Sequence, residues 1–281
     1  MSTEQWTWYN NPDKDARPLG SLNAMIVTSL IYIAIIGPLS AWMQGKKGYP
    51  SKTVGIIHNF LMAAYSLYAF IGTASVFWNN WSARNYAIKP LVCDNESQDI
   101  LKDMDYWVYT FYLSKFVEWF DTISLIVMRG KPQFPPTDSQ QFLHVFHHTV
   151  TGSIVWVTWR YRMSTSWTGP LTNSIVHVFM YSYYMLTDIY PPIRRFAVFI
   201  TPIQLIQFVF CLFLSICEIA FLFLDPASCK ADWHPIAWCF FCYAIFLHLF
   251  VILFNEKKKL SRQPRPSTTP ALTSDTPKKT D

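Results

Sequence analysis

The chain has 281 residues, of which 51% are hydrophobic and only 15% are charged, with a formal net charge of +5. Because a soluble domain carries about 25% charged residues, this composition excludes an ordinary soluble protein. The apolar residues gather in runs of about 20, the length that crosses a hydrocarbon core roughly 30 Å thick, which predicts an integral membrane protein.

Seven such runs follow one another along the chain. Backbone groups in lipid must find their hydrogen bonds within the segment, and the alternating pattern of a β-barrel is not seen, so each run is predicted to be a helix. The predicted fold class is therefore all-α integral membrane, with seven transmembrane helices. Their approximate bounds are 22–43, 54–78, 107–128, 141–159, 168–190, 196–224 and 233–254.

Three parts of the chain differ in composition. Residues 1–20 are polar and have no apolar core behind basic residues, so we expect a short N-terminal segment without a cleavable signal peptide. Residues 21–256 are expected to form one seven-span membrane domain. Residues 257–281 are rich in Lys, Pro, Ser and Thr with almost nothing to bury, which predicts a disordered basic tail.

Basic residues in the loops predict the orientation. An odd number of spans puts the two termini on opposite sides, and the loops on the side of the tail contain more Lys and Arg than the others. The positive-inside rule then places the C-terminus in the cytosol and the N-terminus in a lumen. Arg160 and Arg162 run against this rule.

The loops on the predicted lumenal side contain two features that agree with this orientation. Asn95 begins an Asn-x-Ser acceptor pattern for N-glycosylation, a modification of the secretory lumen. Cys93 and Cys229 lie outside the predicted spans and could pair in an oxidising lumen, while two free thiols are the alternative. On the opposite side, Lys278 and Lys279 resemble the dilysine signal for retrieval to the endoplasmic reticulum, although so basic a tail can hold such a pair by chance.

Four of the predicted spans contain polar or ionisable side chains. These are costly in lipid, so each is a candidate functional residue. They recur every three or four residues, as on one face of a helix. They are Lys115, Glu118, Asp121 and Thr122 in the third span, His144, His147 and His148 in the fourth, Asn173, His177, Tyr181 and Tyr184 in the fifth, and Thr201, Gln204 and Gln207 in the sixth.

The predicted topology puts all four sets at a similar depth, in the cytosolic half of the membrane. We therefore predict one shared buried site that is open to a cytosolic reactant. The alternative is that these groups only join helices through polar contacts. That alternative is strong for the opposite charges of Lys115 and Glu118 and weak for three histidines within residues 144–148.

A metal site is a second interpretation of the histidines. The HxxHH pattern is one of the three histidine boxes of membrane desaturases and hydroxylases, but their two-metal centre needs more nitrogen ligands than the seven histidines of this chain. Three of the seven, His58, His234 and His248, lie alone in other spans or near the lumen. The four that remain would suffice for a single zinc, which stays an alternative at this point.

Four segments resemble the signature segments of the fatty-acid elongases, the membrane condensing enzymes that lengthen very-long-chain and polyunsaturated acyl chains. They occur in the expected order and spans, and together they are far more specific than one HxxHH pattern. The first segment and Phe146 look more similar to family members that act on polyunsaturated chains. The segments are KFVEWFDT at 115–122, LHVFHH at 143–148, NSIVHVFMYSYY at 173–184 and TPIQLIQF at 201–208.

The resemblance implies that a long-chain acyl-CoA and malonyl-CoA give 3-ketoacyl-CoA, carbon dioxide and CoA, without a metal or redox cofactor. It implies six helices around an acyl tunnel that is closed toward the lumen, with the first helix peripheral, in the endoplasmic reticulum membrane. The partners that we expect are membrane lipid, the reductases and dehydratase of the elongation cycle, and a second copy of the chain; nucleic acid is not expected.

The expected chemistry starts from a buried neutral imidazole, which is a nucleophile able to attack a thioester. We expect His147 to carry the acyl group, with His144 and His148 positioning it and exchanging protons. His177 and Asn173 are expected to stabilise the enolate formed from malonyl-CoA. The expected substrate-binding residues are Lys115, Glu118, Asp121, Tyr181, Tyr184, Gln204 and Gln207.

Two other classes of membrane protein remain open on the sequence alone. A seven-span receptor would have its ligand site nearer the outer face, whereas this polar cluster is predicted to face the cytosol. A transporter would break its helices with Gly or Pro at the site, and the segments 115–122 and 143–148 contain neither.

Overall fold

The computed structural model describes residues 13–93, 99–226, 229 and 232–262, and these residues contain helices and no strand. The acceptor pattern at Asn95 and the lysine pair at Lys278 and Lys279 lie outside the described residues, so both stay predictions.

Nine α-helices make up most of the described residues. The third predicted span is divided between two of them, and the fifth begins with a π-helical turn, Gly169–Asn173. The last helix continues to Arg262, so the first residues of the segment that we expected to be disordered are helical. The helices are α1 (Leu22–Met43), α2 (Lys52–Ala83), α3 (Lys89–Val92), α4 (Asp99–Val117), α5 (Trp119–Val127), α6 (Ser139–Arg160), α7 (Ser174–Ile189), α8 (Ala197–Leu224) and α9 (Trp233–Arg262).

Three of the long helices begin at side-chain caps. The hydroxyl of Ser21 accepts a hydrogen bond from the backbone N–H of Ala24 at the start of α1, and Ser51 caps α2 in the same way. The Asp138 carboxylate accepts from the N–H of Gln141 at 2.8 Å and starts α6. Each cap satisfies a backbone donor that has no partner within the helix, so these residues fix where the helices begin.

Four helical segments are long and apolar enough to cross a membrane. Their mean hydropathies lie between 1.6 and 2.4. The charged and histidine side chains of the predicted site lie on the helices between them in sequence, α4 to α7. The described part of the chain is thus all-α and contains four candidate membrane-spanning helices, which are Leu22–Met43, Lys52–Ala83, Pro191–Leu224 and Trp233–Lys259.

The helices pack in pairs that bring distant parts of the chain together. α2 lies along α7, α8 lies along α9, and α6 contacts both α4 and α9, while α1 packs against α5 and α6. One apolar cluster surrounds Trp156 and Trp159 between α4 and α6. A second cluster lies between α6, α8 and α9 around Phe208 and Phe246. The polar residues of α4 to α8 therefore face one another across the bundle.

Two contacts tie α3 to the connection between α8 and α9. Cys93 and Cys229 are joined by a disulfide with their Cα atoms 5.4 Å apart. Lys89 Nζ lies 2.5 Å from a carboxylate oxygen of Asp225. Both contacts lie at the end of the bundle that the sequence assigns to the lumen.

Aromatic side chains hold the segment before α1 against α4 and α6. The Tyr109 and Tyr112 hydroxyls donate to the carbonyls of residues 18 and 19, each at 2.9 Å, and the Trp156 indole donates to the carbonyl of residue 20 at 2.7 Å. These bonds satisfy three backbone acceptors and fix where α1 enters the bundle.

Close packing of α2 against α4 at Gly72 gives a prediction. A Cβ at Gly72 would lie 2.0 Å from ring carbons of Trp107, a ring that also packs against Tyr68 and Tyr106. We expect Gly72→Ala to destabilise the protein by about 1–3 kcal/mol, the usual cost of overpacking. Gly152→Ala is the matched control, because a Cβ there meets nothing within 4 Å. Thermal unfolding of both variants in detergent tests this, and equal midpoints would contradict it.

Candidate active site

An interruption between α4 and α5 places the first set of polar side chains. Glu118 keeps helical torsion angles, φ −62° and ψ −16°. Its carbonyl, however, accepts a hydrogen bond from the N–H of Asp121 at 3.0 Å, which is a 3₁₀-type contact. Lys115 before the interruption and Thr122 after it are both buried. The segment KFVEWFDT therefore directs three of its polar side chains, those of Lys115, Glu118 and Thr122, into the bundle.

Lys115 is the centre of a buried chain of polar contacts. Its Nζ atom lies 2.6 Å from Glu118 Oε1 and 3.0 Å from the amide oxygen of Asn173. The Asn173 amide nitrogen in turn donates to the side-chain oxygen of Gln207 at 3.4 Å. The Lys115 and Glu118 side chains are 3% and 1% exposed. Buried charges are tolerated only when paired and hydrogen-bonded. These polar contacts therefore fix α4, α8 and the start of α7 relative to one another.

The π-helical turn before α7 determines where Asn173 lies. Asn173 is the last residue of Gly169–Asn173, and α7 follows directly. Such turns widen a helix locally and are frequent at functional sites. Here the turn ends with the residue that contacts Lys115.

Asp121 is held from two helices. The Tyr181 hydroxyl of α7 donates to Asp121 Oδ2 at 2.6 Å, and the His58 Nε2 atom of α2 lies 2.7 Å from Asp121 Oδ1. His177, one turn before Tyr181, places its Nδ1 atom 3.4 Å from Glu118 Oε1. The second Glu118 oxygen is buried without a partner among the described residues. The acidic residues of the third span therefore meet α2 and α7 together.

The sequence predicted that His58 lies alone in its span, and this prediction is wrong, because His58 contacts Asp121. The packing of α2 along α7 brings the start of the second span beside the end of the fifth. A signal was available, because His58 lies near the cytosolic end of its predicted span, at the depth of the other polar residues.

The histidine segment on α6 divides into residues with different surroundings. His144 Nε2 lies 2.9 Å from Thr122 Oγ1. His148 is buried, its ring centroid is 4.6 Å from that of His144, and its Nδ1 atom has no partner in the part of the chain that the structure describes. His147 is partly exposed and packs against Phe246 with ring centroids 5.5 Å apart. His144 and His147 are thus both partly exposed, and His148 is the buried ring of the three.

His148 packs against both other histidines of the segment. Its ring centroid lies 5.0 Å from that of His147. The His144 ring, which packs against it, contacts Thr122 of the third span. Glu118 of the same span contacts Lys115 and His177. The residues predicted on the third, fourth and fifth spans thus form one cluster.

In the described part of the chain, two predicted site residues show no hydrogen bond to this cluster. Tyr184 is 42% exposed, because it is one turn nearer the end of α7 than Tyr181, where other helices do not cover it. The Gln204 amide faces α7, with its nitrogen 3.8 Å from the sulfur of Met180. Their expected role in substrate binding stays a prediction.

The described residues also bear on the single-zinc alternative. Within the ranges given above, no group of three or more His, Cys, Asp or Glu side chains is arranged to hold a metal ion. The four histidines considered for zinc do not form such a group.

Comparison with known proteins identifies the family of the chain. Residues 17–265 match the profile of the ELO: GNS1/SUR4 family. Fatty acid elongase sre1 of Dictyostelium discoideum is 31% identical over 239 residues, which cover 84% of this chain and 83% of that protein. Very long chain fatty acid elongase 4 of Mus musculus is 28% identical over 265 residues, which cover 91% and 80%. The chain therefore belongs to the fatty-acid elongase family.

Proposed function

We propose that this protein is the condensing enzyme of fatty-acid elongation, a very-long-chain 3-oxoacyl-CoA synthase. It joins a long-chain or polyunsaturated acyl-CoA to malonyl-CoA and releases carbon dioxide and CoA. The observation that carries the proposal is the cluster in which His144 of α6 contacts Thr122, on the segment whose Lys115–Glu118 pair contacts His177. The relatives named as elongases support the same reaction. Malonyl-CoA is the co-substrate, and no cofactor is proposed.

The proposed arrangement in the membrane has seven spans, with six helices around an acyl tunnel and α1 at the edge. Its support is that each of the seven apolar runs coincides with a helical segment. We place the protein in the endoplasmic reticulum with a lumenal N-terminus and a cytosolic C-terminus. The loop charges support this orientation, and a disulfide between Cys93 and Cys229 suits an oxidising compartment.

The first half-reaction is acyl transfer to His147. A ring nitrogen of neutral His147 attacks the thioester carbonyl, the carbon–sulfur bond breaks, and CoA leaves as a thiolate. The imidazole then loses its N–H proton, which protonates the thiolate, so an acyl-imidazole and free CoA result. The exposure of His147 relative to His148 supports this choice of nucleophile.

The second half-reaction forms the new carbon–carbon bond. Malonyl-CoA loses carbon dioxide and leaves an enolate, which attacks the acyl carbon. The bond from that carbon to His147 breaks, and the imidazole takes up one proton. The enolate needs nearby donors, and His177 and the Asn173 amide are the groups that we assign to it. Lys115, fixed by Glu118, supplies the positive charge for the malonyl carboxylate.

The product suggests the proposed partners. A 3-ketoacyl-CoA has to be reduced, dehydrated and reduced again before the chain is longer by two saturated carbons, so the reductases and dehydratase of the cycle are proposed to act beside this protein. A homodimer and surrounding membrane lipid are proposed as well.

An acyl-CoA trap tests the proposed function. Purified protein incubated with a long-chain acyl-CoA alone is expected to gain the mass of the acyl group and to release one CoA for each adduct. Radiolabelled malonyl-CoA added afterwards should discharge the adduct as 3-ketoacyl-CoA. Condensation without prior CoA release would contradict the acyl-histidine step. Absence of condensation with every acyl chain length tried would contradict the proposed function.

A further inference from the structure

Tyr32 lies on α1, the helix expected at the edge of the bundle, yet its side chain reaches the histidine segment. It is 1% exposed. Its ring centroid lies 5.3 Å from that of Trp119 and 6.1 Å from that of His148. Its hydroxyl lies 2.9 Å from Thr122 Oγ1. Because α1 packs against α5 and α6, this first helix contacts the proposed active site through one buried hydroxyl.

Three side chains form a hydrogen-bonded relay from α1 to α6. Thr122 Oγ1 lies 2.9 Å from the Tyr32 hydroxyl and also 2.9 Å from His144 Nε2. The Tyr32 hydroxyl has Thr122 as its hydrogen-bond partner, with no other among the described side chains. If Tyr32 and His144 both donated to Thr122, the O–H of the fully buried Thr122 would have no acceptor among these side chains, which is costly. The protons therefore run in one of two directions, toward His144 or toward Tyr32.

Burial decides between the two directions. If His144 donated to Thr122 and Thr122 to Tyr32, the Tyr32 O–H would point away from its one partner at a fully buried position, which is costly. If Tyr32 donates to Thr122 and Thr122 donates to His144 Nε2, the spare N–H is His144 Nδ1, on a ring that is only partly buried. In the second direction the donor without a partner is the N–H of a partly buried ring, which costs less free energy than a fully buried O–H without a partner. His144 then has Nε2 as an acceptor and its proton on Nδ1.

We infer that Tyr32 is a positioning residue of this enzyme, which acts through Thr122 to fix the tautomer and ring orientation of His144. The inference rests on the proposed function and refines it. His144 supports the ring of His148, which packs against it with centroids 4.6 Å apart. His148 packs in turn against His147. The proton of the acyl-transfer step is then exchanged with His148, whose buried Nδ1 is without a partner among the described residues, while His144 holds the stack in place.

Tyr32→Phe tests this role, with Tyr112→Phe as the matched control. Both tyrosines are buried and each makes one hydrogen bond, but Tyr112 bonds the carbonyl of Leu19, at the segment before α1. Tyr32→Phe is expected to lower kcat about tenfold with KM unchanged, the scale of one lost hydrogen bond in the transition state. Tyr112→Phe should stay close to wild type in kcat. Equal kcat values in the two variants would overturn the inference.

A double-mutant cycle tests whether Tyr32 acts through Thr122. Thr122→Val removes the relay hydroxyl, so Tyr32→Phe should cause no further loss of kcat in that background. Thr122→Ser keeps the hydroxyl and should retain the dependence on Tyr32. Independent losses, in which the two fold-changes multiply, would overturn the relay.

Nitrogen NMR of histidine-labelled protein gives a readout that does not depend on turnover. The His144 signals, assigned by their loss in His144→Gln, should show an unprotonated Nε2 in wild type and in Tyr112→Phe, and a mixture of tautomers in Tyr32→Phe. A protonated Nε2 in wild type would overturn the inference even if condensation is observed. If the NMR signals show the expected His144 tautomer but no condensation is observed, the hydrogen-bonded relay is supported and the proposed function is contradicted.

Discussion

Replacement of His147 by alanine is expected to abolish acyl transfer and to lower condensation by roughly a thousandfold or more, as for other covalent nucleophiles. The ring is partly exposed at the edge of the cluster, and its contacts are with the rings of His148 and Phe246. Removing it therefore leaves the polar chain around Lys115 intact. The measurement is the acyl adduct and CoA release with acyl-CoA alone, followed by product formation with malonyl-CoA.

His248→Ala is the control for that variant. His248 is exposed on the outer face of α9, so its loss should change neither the adduct nor the rate. The thermal midpoint of His147→Ala should stay near that of wild type, which separates lost chemistry from lost folding. A covalent acyl adduct that persists in His147→Ala would assign the nucleophile to another residue, and His148 would be the first to examine.

The sequence predicted where helices occur better than it predicted their internal breaks. Apolar runs identify helices because burial in lipid leaves the backbone no other choice. The interruption at Glu118 and the π-helical turn ending at Asn173 lie instead where Lys115 contacts Glu118 of its own span and Asn173 of another. A periodic pattern within one segment contains no information about such partners.

The site was predictable as far as depth in the membrane could locate it. Lys115, Glu118 and His177 meet because their spans hold them at the same level. Thr122 contacts His144 for the same reason. Depth does not determine which way a helix is rotated, so it could not predict that Tyr181 is buried and that Tyr184, one turn later, is 42% exposed.

Tyr32 and His58 were missed for different reasons. A tyrosine in a span is common and carries no signal of its own. A histidine in a span is rare, so His58 could have been included, and its distance in sequence from Asp121 hid a contact that α2 and α7 create.

The Lys115–Glu118 pair leads to the largest expected change in stability. With Lys115→Met, Glu118 stays buried with one oxygen unpartnered and the other beside His177 alone. Removing one partner of a buried pair costs about 3–5 kcal/mol, so the variant should unfold at a much lower temperature in the same detergent. Arg129→Met is the matched control, because the Arg129 side chain is 56% exposed where it pairs with Asp188 and exposed pairs contribute about 0–1 kcal/mol.

The double variant Lys115→Met with Glu118→Leu separates structure from chemistry. Apolar replacement of both buried charges is often neutral or stabilising, so the thermal midpoint should recover most of the loss. Condensation should not recover, since Asn173 no longer has its contact with the lysine ammonium and the malonyl carboxylate no longer meets a positive charge. If the double variant regained both stability and turnover, the pair would serve only to join helices, the alternative that the sequence left open. If it regained stability alone, the buried charges are there for the reaction, because the fold is stable without them.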